Sequence, residues 1–281
     1  MFKKIYHSAI QWKMRYINPL LLKTKYRNRS QYSISFYGIP TIFSTADSHS
    51  KSWFYPRYDY GRVHEPAVTY SLVEEFKKAE VFFDVGTHLG FYTCIAGKMM
   101  PMGQVVGFEM DVLSFQLLEE NVRLNQLDNV TIHNTAVVAM PGTVRHPTNM
   151  TPNAGLSIQT DITTKNNCIE VAATSIDSYC EENTLTPDLI KIDVEGAEIQ
   201  VLKGMANTLR QYPKLYIELH ENLLPNFDSS IQEVITLLHD AGYQTYEIIE
   251  HRKNSRGALR PITFDSLPKG NPMIIASQKA H

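Results

Sequence analysis

One stretch limits the fold more than any other: VFFDV (81–85), GTHLG (86–90), a helical pattern to about residue 99, then QVVGFEM (104–110). VFFDV is an apolar run of strand length, and the glycines bracketing the turn suit a strand that passes directly into a helix. Two such strands lie parallel only if the intervening helix crosses over a face of the sheet. The pattern then repeats. Residues 112–126 read as a helix and VTIHN (130–134) as a third strand. DLIKIDV (188–194) and KLYIELH (214–220) enclose a helix at 197–209, and a helix at 230–240 precedes YQTYEII (243–249) and NPMIIAS (271–277). Alternation of this kind predicts an α/β fold with a mostly parallel seven-stranded sheet and helices on both faces. Residues 135–174, rich in Gly, Pro, Thr and Asn, break the rhythm and predict an inserted β-hairpin region on the sheet.

A helix at 66–78 opens this domain, so the division expected is an N-terminal extension, 1–64, and a domain at 65–281. Within the extension, 32–43 (YSISFYGIPTIF) read as two short strands. An irregular stretch with Trp53, Phe54, Tyr55, Tyr58 and Tyr60 reads either as a wall of a substrate cleft or as core packing. Phe2, Ile5, Tyr6, Ala9, Ile10, Met14 and Ile17 recur at helical spacing up to Asn18-Pro19, giving a basic amphipathic helix over 2–17. It packs on the body or docks peripherally on an anionic membrane face or a lipid-linked substrate.

Of the 27 Lys and Arg, eight fall in residues 1–30, leaving 19 basic against 29 acidic side chains. The net charge of −2 gives no bulk reason to expect nucleic acid as partner. Three cysteines without metal-type spacing suit a reducing compartment, and no apolar run approaches the roughly 18–20 residues a bilayer span needs. The expected location is cytoplasmic, with the inner membrane face as the alternative for residues 2–17.

Open α/β sheets bind ligands at the carboxyl ends of their strands. Asp84 sits there on the first strand, followed by the turn Gly86, Thr87, His88 and Gly90. Glu109, with Met110 beside it, ends the second strand, where a carboxylate can accept from both hydroxyls of a ribose. Asn134 and Ala136, at the end of the third, are placed to flank an adenine. A dinucleotide fingerprint would need glycine where His88 stands. Asp84 suits the ammonium of a methionyl group and would repel a pyrophosphate. A nicotinamide oxidoreductase is therefore the weaker alternative, and a catalytically silent binding or scaffold protein is another.

FFDVGTHLGFYT (82–93), VVGFEMD (105–111), ENVRLNQLDNVTIHNTAV (120–137), TSIDSY (174–179) and LIKIDVEGAEIQVLKG (189–204) together resemble the FkbM-type family of methyltransferases. The resemblance runs from about residue 65 to 220, and Asp-Val-Glu-Gly-Ala-Glu before a helix is its most specific part. It implies a Rossmann-like class I methyltransferase fold, bound S-adenosylmethionine, and O-methylation of a hydroxyl on a sugar, glycan or natural-product acceptor. By position it carries Asp84, Gly86, His88, Gly90 and Glu109 over as cofactor residues, and Asp193 and Glu195 as the acids of the later motif.

Methyl transfer from a sulfonium is an in-line displacement, so alignment and exclusion of water are the protein's main tasks. A sugar hydroxyl is also helped by a base. Asp193, Glu195, Glu218 and His220 lie at strand ends where a base could act. His220 is the first choice because imidazole titrates near neutrality; a merely structural hydrogen bond is the alternative. Asp193, Glu195 and Glu218 could also offer oxygen ligands to a divalent metal, although organising the cofactor end and the turn is the preferred reading and no metal is assigned.

Overall fold

The computed structural model describes residues 24–58, 63–147, 168–253 and 257–278. The helix expected at 2–17 and Tyr60 lie outside these residues. In chain order the elements are β1 (Gln31–Phe36), β2 (Ile39–Ser44), α1 (Ser48–Tyr58), α2 (Pro66–Phe76), β3 (Val81–Val85), α3 (Phe91–Met99), β4 (Gln104–Phe108), α4 (Val112–Asn125), β5 (Val130–His133), β6 (Ala136–Val137), β7 (Gly142–Pro147) and β8 (Cys168–Thr174). They continue with α5 (Ile176–Asn183), β9 (Leu189–Ile192), α6 (Glu198–Lys203), α7 (Ala206–Leu209), β10 (Lys214–Glu218), α8 (Ile231–Asp240), β11 (Tyr243–Ile248), β12 (Leu259–Pro261) and β13 (Met273–Gln278).

The main sheet has the order β12-β11-β13-β10-β9-β3-β4-β5. From β10 to β5 every pairing is parallel, and β13 enters antiparallel between β10 and β11. This is the Rossmann-like class I methyltransferase arrangement. Its strand order reverses between β3 and β9, which opens the ligand crevice at their carboxyl ends. The central strands are apolar on both sides because helices cover both faces: Phe82, Phe83, Leu189, Ile190, Leu215 and Ile217 are all buried. Buried charges interrupt that pattern at Asp84 on β3, Lys191 on β9 and Glu218 at the end of β10, and the first two are partners in the β3–β9 register.

Several expectations are corrected by tertiary context. Among the described residues the main sheet has eight strands, one more than the seven read from sequence. The extra edge strand β12 is three exposed residues ending in proline, too short to leave a periodic signal and suited only to an edge. The inserted region forms a separate sheet, β6-β8-β7, instead of lying on the main one. The helix read at 197–209 breaks into α6 and α7 at Gly204. A Cβ there would stand 2.3 Å from the carbonyl oxygen of Val138, so the chain passes too close for any side chain. Asp177 restarts the helix by accepting from the backbone N–H groups of Asn207 and Thr208, each at 2.8 Å. The TSIDSY segment thus caps α7, the second of the two helices after the DVEGAE turn.

The aromatic stretch is the helix α1, not irregular chain. Its apolar residues are consecutive rather than spaced by turns, so periodicity does not reveal it. Phe54, Tyr55 and Tyr58 are buried, and Phe54 and Tyr58 share one core with Phe43, Val68, Leu72 and Phe91. Fully burying a side chain of this size contributes about 2–3 kcal/mol. Tyr37 and Gly38, both at positive φ, turn β1 into β2. Strand β2 is tied to α4 through asparagines: Asn125 exchanges two hydrogen bonds with the Ile42 backbone, and Asn121 accepts from the Ser44 N–H at 2.7 Å. Among the described residues no helix is long and apolar enough to cross a membrane.

Candidate active site

A cavity of about 240 Å³ opens at the carboxyl ends of β3, β4 and β9. Its lining includes Asp84, Gly86, Thr87, His88, Glu109, Met110, Ala136, Asp193, Glu195, Glu218 and His220, so most sequence-derived candidates converge on one place. Gly90 and Asn134 are not on its wall. Gly90, at φ +85, starts α3, and a Cβ there would stand only 2.5 Å from the Leu118 side chain, so packing also favours glycine at this position. Asn134 donates from Nδ2 to the carbonyls of Glu109 and Met110, at 2.8 and 3.2 Å. Asn134 thus braces the strand end, with Thr135 and Ala136 on the cavity wall.

Asp84 is 1% exposed. Its Oδ2 accepts from the Thr93 hydroxyl at 2.6 Å, while Oδ1 is buried with no hydrogen-bond partner among the described residues. Burial pushes its pKa up. An unsatisfied buried carboxylate oxygen costs more than about 1–3 kcal/mol, and a cationic donor would relieve it. Gly86 follows at φ +83, and a Cβ there would meet the Asp193 carbonyl oxygen at 1.8 Å. Glycine is thus required by the approach of the DVEG turn, not only by a ligand. The next charged group, Glu109, is gripped through Oε2 by the His88 N–H at 2.6 Å and through Oε1 by the Asp111 N–H at 2.8 Å. Burial raises it to about 7 despite these amides. The ring of His88 turns away from the turn's amides, its Nε2 meeting Nε2 of His49 at 2.9 Å. Burial depresses its pKa to about 3.

The DVEGAE turn builds the other charged part. Glu195 and Gly196 sit at φ +49 and +103, and a Cβ on Gly196 would meet Leu223 at 2.6 Å. This turn aims Asp193 and Glu195 at His220, whose Nε2 lies 4.0 and 3.2 Å from them. The fully buried Glu198 pairs with Nδ1 at 2.7 Å and accepts from the Gly196 N–H at 2.9 Å. Burial alone would lower the imidazole, but the bond to Glu198 and the charges of Asp193 and Glu195 raise it to about 9. His220, the expected general base, thus faces carboxylates with both ring nitrogens, Glu198 at Nδ1 and Glu195 at Nε2, an arrangement that favours its protonated form.

Burial favours the neutral form of Asp193, yet Lys191, with Nζ 3.1 Å from Oδ2, and His220 hold it below its ordinary value. Burial raises Glu218, the neighbouring Asp193 and Glu65 add to this, and Arg252 opposes it. Arg252 reaches both Glu218 and Glu65. Ligand atoms of Asp193, Glu195 and His220 lie within 4.8 Å of one another, close enough to surround a cation. Lys191 and His220 already supply positive charge there, and Glu218 is drawn to Arg252.

Lys191, Glu198, Glu65, Arg252, Arg57 and His64 belong to this site and were not singled out from sequence, whereas Trp53, also on the cavity wall, was named in the aromatic stretch read as a cleft wall or as core packing. Lys191 carried a signal, a lone charge in the buried run LIKI. Glu198 lies in the DVEGAE motif, but its burial is a packing outcome. The remaining four come from segments without a period and are assembled only by the fold.

The FkbM methyltransferase domain matches residues 84–245. The hexuronic acid methyltransferase AglP of Haloferax volcanii is 26% identical over 175 residues, covering 62% of this chain and 67% of that protein. A methyltransferase of Agrobacterium tumefaciens superposes with a TM-score of 0.45 at 11% identity, covering 89% of this chain and 70% of the other. One from Aquifex aeolicus gives 0.41 at 17%, covering 76% and 90%. With the family domain matching more than half of its length, the chain belongs to the FkbM methyltransferase family.

Proposed function

We propose that the cavity holds S-adenosylmethionine and that the protein methylates an oxygen of a sugar acceptor, with hexuronic acids and their glycosides the first to test. The observation that carries this is the buried, unpartnered Oδ1 of Asp84 at the cavity wall. An ammonium group fits it, and a phosphate would not. The Glu109 carboxylate keeps lone pairs for ribose hydroxyls beyond the two amides that hold it. Met110, Thr135 and Ala136 supply a largely apolar wall for a flat ring. The acceptor class is suggested by the hexuronic acid methyltransferase relative.

When bound, S-adenosylmethionine supplies a methyl group on a sulfonium leaving group, taken by the acceptor oxygen in line. The chain's residues do the rest. Asp193, kept ionised by Lys191 and His220, accepts a hydrogen bond from an acceptor hydroxyl and orients it. Glu218, with its pKa raised, is better placed than Asp193 to take the proton. His220 holds the Asp193–Glu195 turn in place as a buried cation and is a positioning residue.

Isothermal titration with S-adenosylhomocysteine tests the core of this reading. Micromolar binding is expected, weakened at least ~10-fold in Asp84→Ala and in Glu109→Gln, each of which loses charge-assisted hydrogen bonds. No binding by the unaltered protein would overturn the assignment. A proton role for Glu218 predicts that Glu218→Gln lowers kcat and removes one limb of its pH profile; an unchanged profile would refute that role.

A further inference from the structure

Among the described residues the charged side chains around the cavity pair with one another, with one exception among the cations. Lys191 meets Asp193, Arg252 meets Glu65 and Glu218, and His220 meets Glu195 and Glu198. Arg57 lines the same cavity and has no carboxylate partner among the described residues. Its one hydrogen bond runs from Nη1 to the Trp53 carbonyl, one turn back on α1, at 3.0 Å. The guanidinium carbon lies 4.8 Å from the centre of the Trp53 ring. A guanidinium carries five N–H donors, so most of its capacity is unused.

This arginine is also well held. Phe54, Tyr55 and Tyr58 anchor α1 in the core, and the indole face restricts the plane of the guanidinium. A planar, oriented fork with free donors matches a carboxylate, which it can take through two parallel bonds. Burial draws the Arg57 pKa down, so an arriving anion would relieve a desolvated charge. The cavity therefore presents two unmatched partners, a carboxylate oxygen on Asp84 and a guanidinium on Arg57.

We propose that Arg57 is the carboxylate-binding residue of this cavity, fixing a carboxylate of a bound small molecule through its free guanidinium donors. This rests on the methyltransferase reading of the site. Two ligands present that chemistry, the methionyl end of the methyl donor and an acidic sugar acceptor. In the first case, Asp84 and Arg57 divide the two charges of an amino acid. In the second, Arg57 selects uronic acids over neutral hexoses, with Trp53 beside it as a platform for the ring.

The test is titration of the full chain, unaltered and as Arg57→Gln and Arg57→Lys, with two matched ligand pairs. One pair is S-adenosylhomocysteine and 5′-methylthioadenosine, which lacks the amino-acid end. The other is p-nitrophenyl glucuronide and p-nitrophenyl glucoside, offered to free and S-adenosylhomocysteine-loaded protein. Arg57→Gln is expected to weaken the carboxylate-bearing member of one pair at least ~10-fold and its carboxylate-free partner less than ~2-fold, with Arg57→Lys intermediate. Loss in the first pair assigns the donor as the source, and loss in the second assigns the acceptor. Unchanged binding throughout, or equal loss within both pairs, overturns the proposal. If Arg57→Gln does not fold, Arg57→Lys binding every ligand as the unaltered protein does overturns it equally. Failure of the unaltered protein to bind either nucleoside removes the methyltransferase reading, and the glycoside pair then decides Arg57 by itself.

Discussion

His88 and His220 line the same cavity, and burial acts on both in the same direction, yet one is neutral and the other charged. Around His88 the neighbours are the His49 ring, Trp53 with ring centres 5.9 Å apart, and Arg57, so burial dominates and its pKa falls to about 3. His64, which packs on Trp53, behaves alike and also falls to about 3. Around His220 stand Asp193, Glu195 and Glu198, and the same ring rises to about 9. Partners, not depth, set the charge of a buried histidine here. The cavity thereby gains an aromatic part in which Arg57 is the charged group, and an ionic part of carboxylates with their paired cations.

The contrast breaks most severely if Glu198 is removed. Glu198→Ala leaves the His220 charge without its buried partner and is expected to cost about 3–5 kcal/mol in urea unfolding. In the same variant, NMR titration should find His220 well below 9; a value still near 9 would show that Asp193 and Glu195 suffice.

Acid and alkali sharpen the contrast next. The folded pKa of His220 is above the unfolded value of 6.5, so its contribution is full below 6.5 and is lost as pH rises through about 9. Those of His64 and His88 are below it, so their contributions are full above 6.5 and are lost as pH falls from 6.5 toward 3. Relative to the unaltered protein, His88→Phe should therefore gain stability on acidification and His220→Gln should gain it on raising pH. The difference in unfolding free energy measured from pH 4 to 9 checks both signs. Parallel curves for the variants and the unaltered protein would refute the assignment of charge. The smallest effect belongs to His49→Ala, which removes one partly buried hydrogen bond and should cost about 1 kcal/mol, read as a small drop in urea midpoint.

How far such a site can be read in advance depends on the residue. Asp84 and Glu109 announce themselves because a carboxylate closing an apolar strand has few structural uses. The position of His220 was legible from strand spacing, but its carboxylate partners were not, since Glu198 reaches it from 22 residues away through a turn that aims both inward. Trp53 was legible only within an aromatic stretch that had two readings, and Arg57 gave no signal, because both lie in a helix whose apolar residues do not follow a helical period.

By itself the sequence determined the alternating α/β topology, the glycine turn after β3 and the acids at the strand ends. All of these are local, since each follows from the period of apolar residues or from what one turn permits. Tertiary structure decided which groups carry charge, which glycines serve packing, and that α1 closes over the strand ends. Those properties depend on desolvation and on contacts between chain segments up to 187 residues apart, as in the Glu65–Arg252 pair. No local pattern encodes them, because a pKa and a cavity wall are set by what the fold brings near.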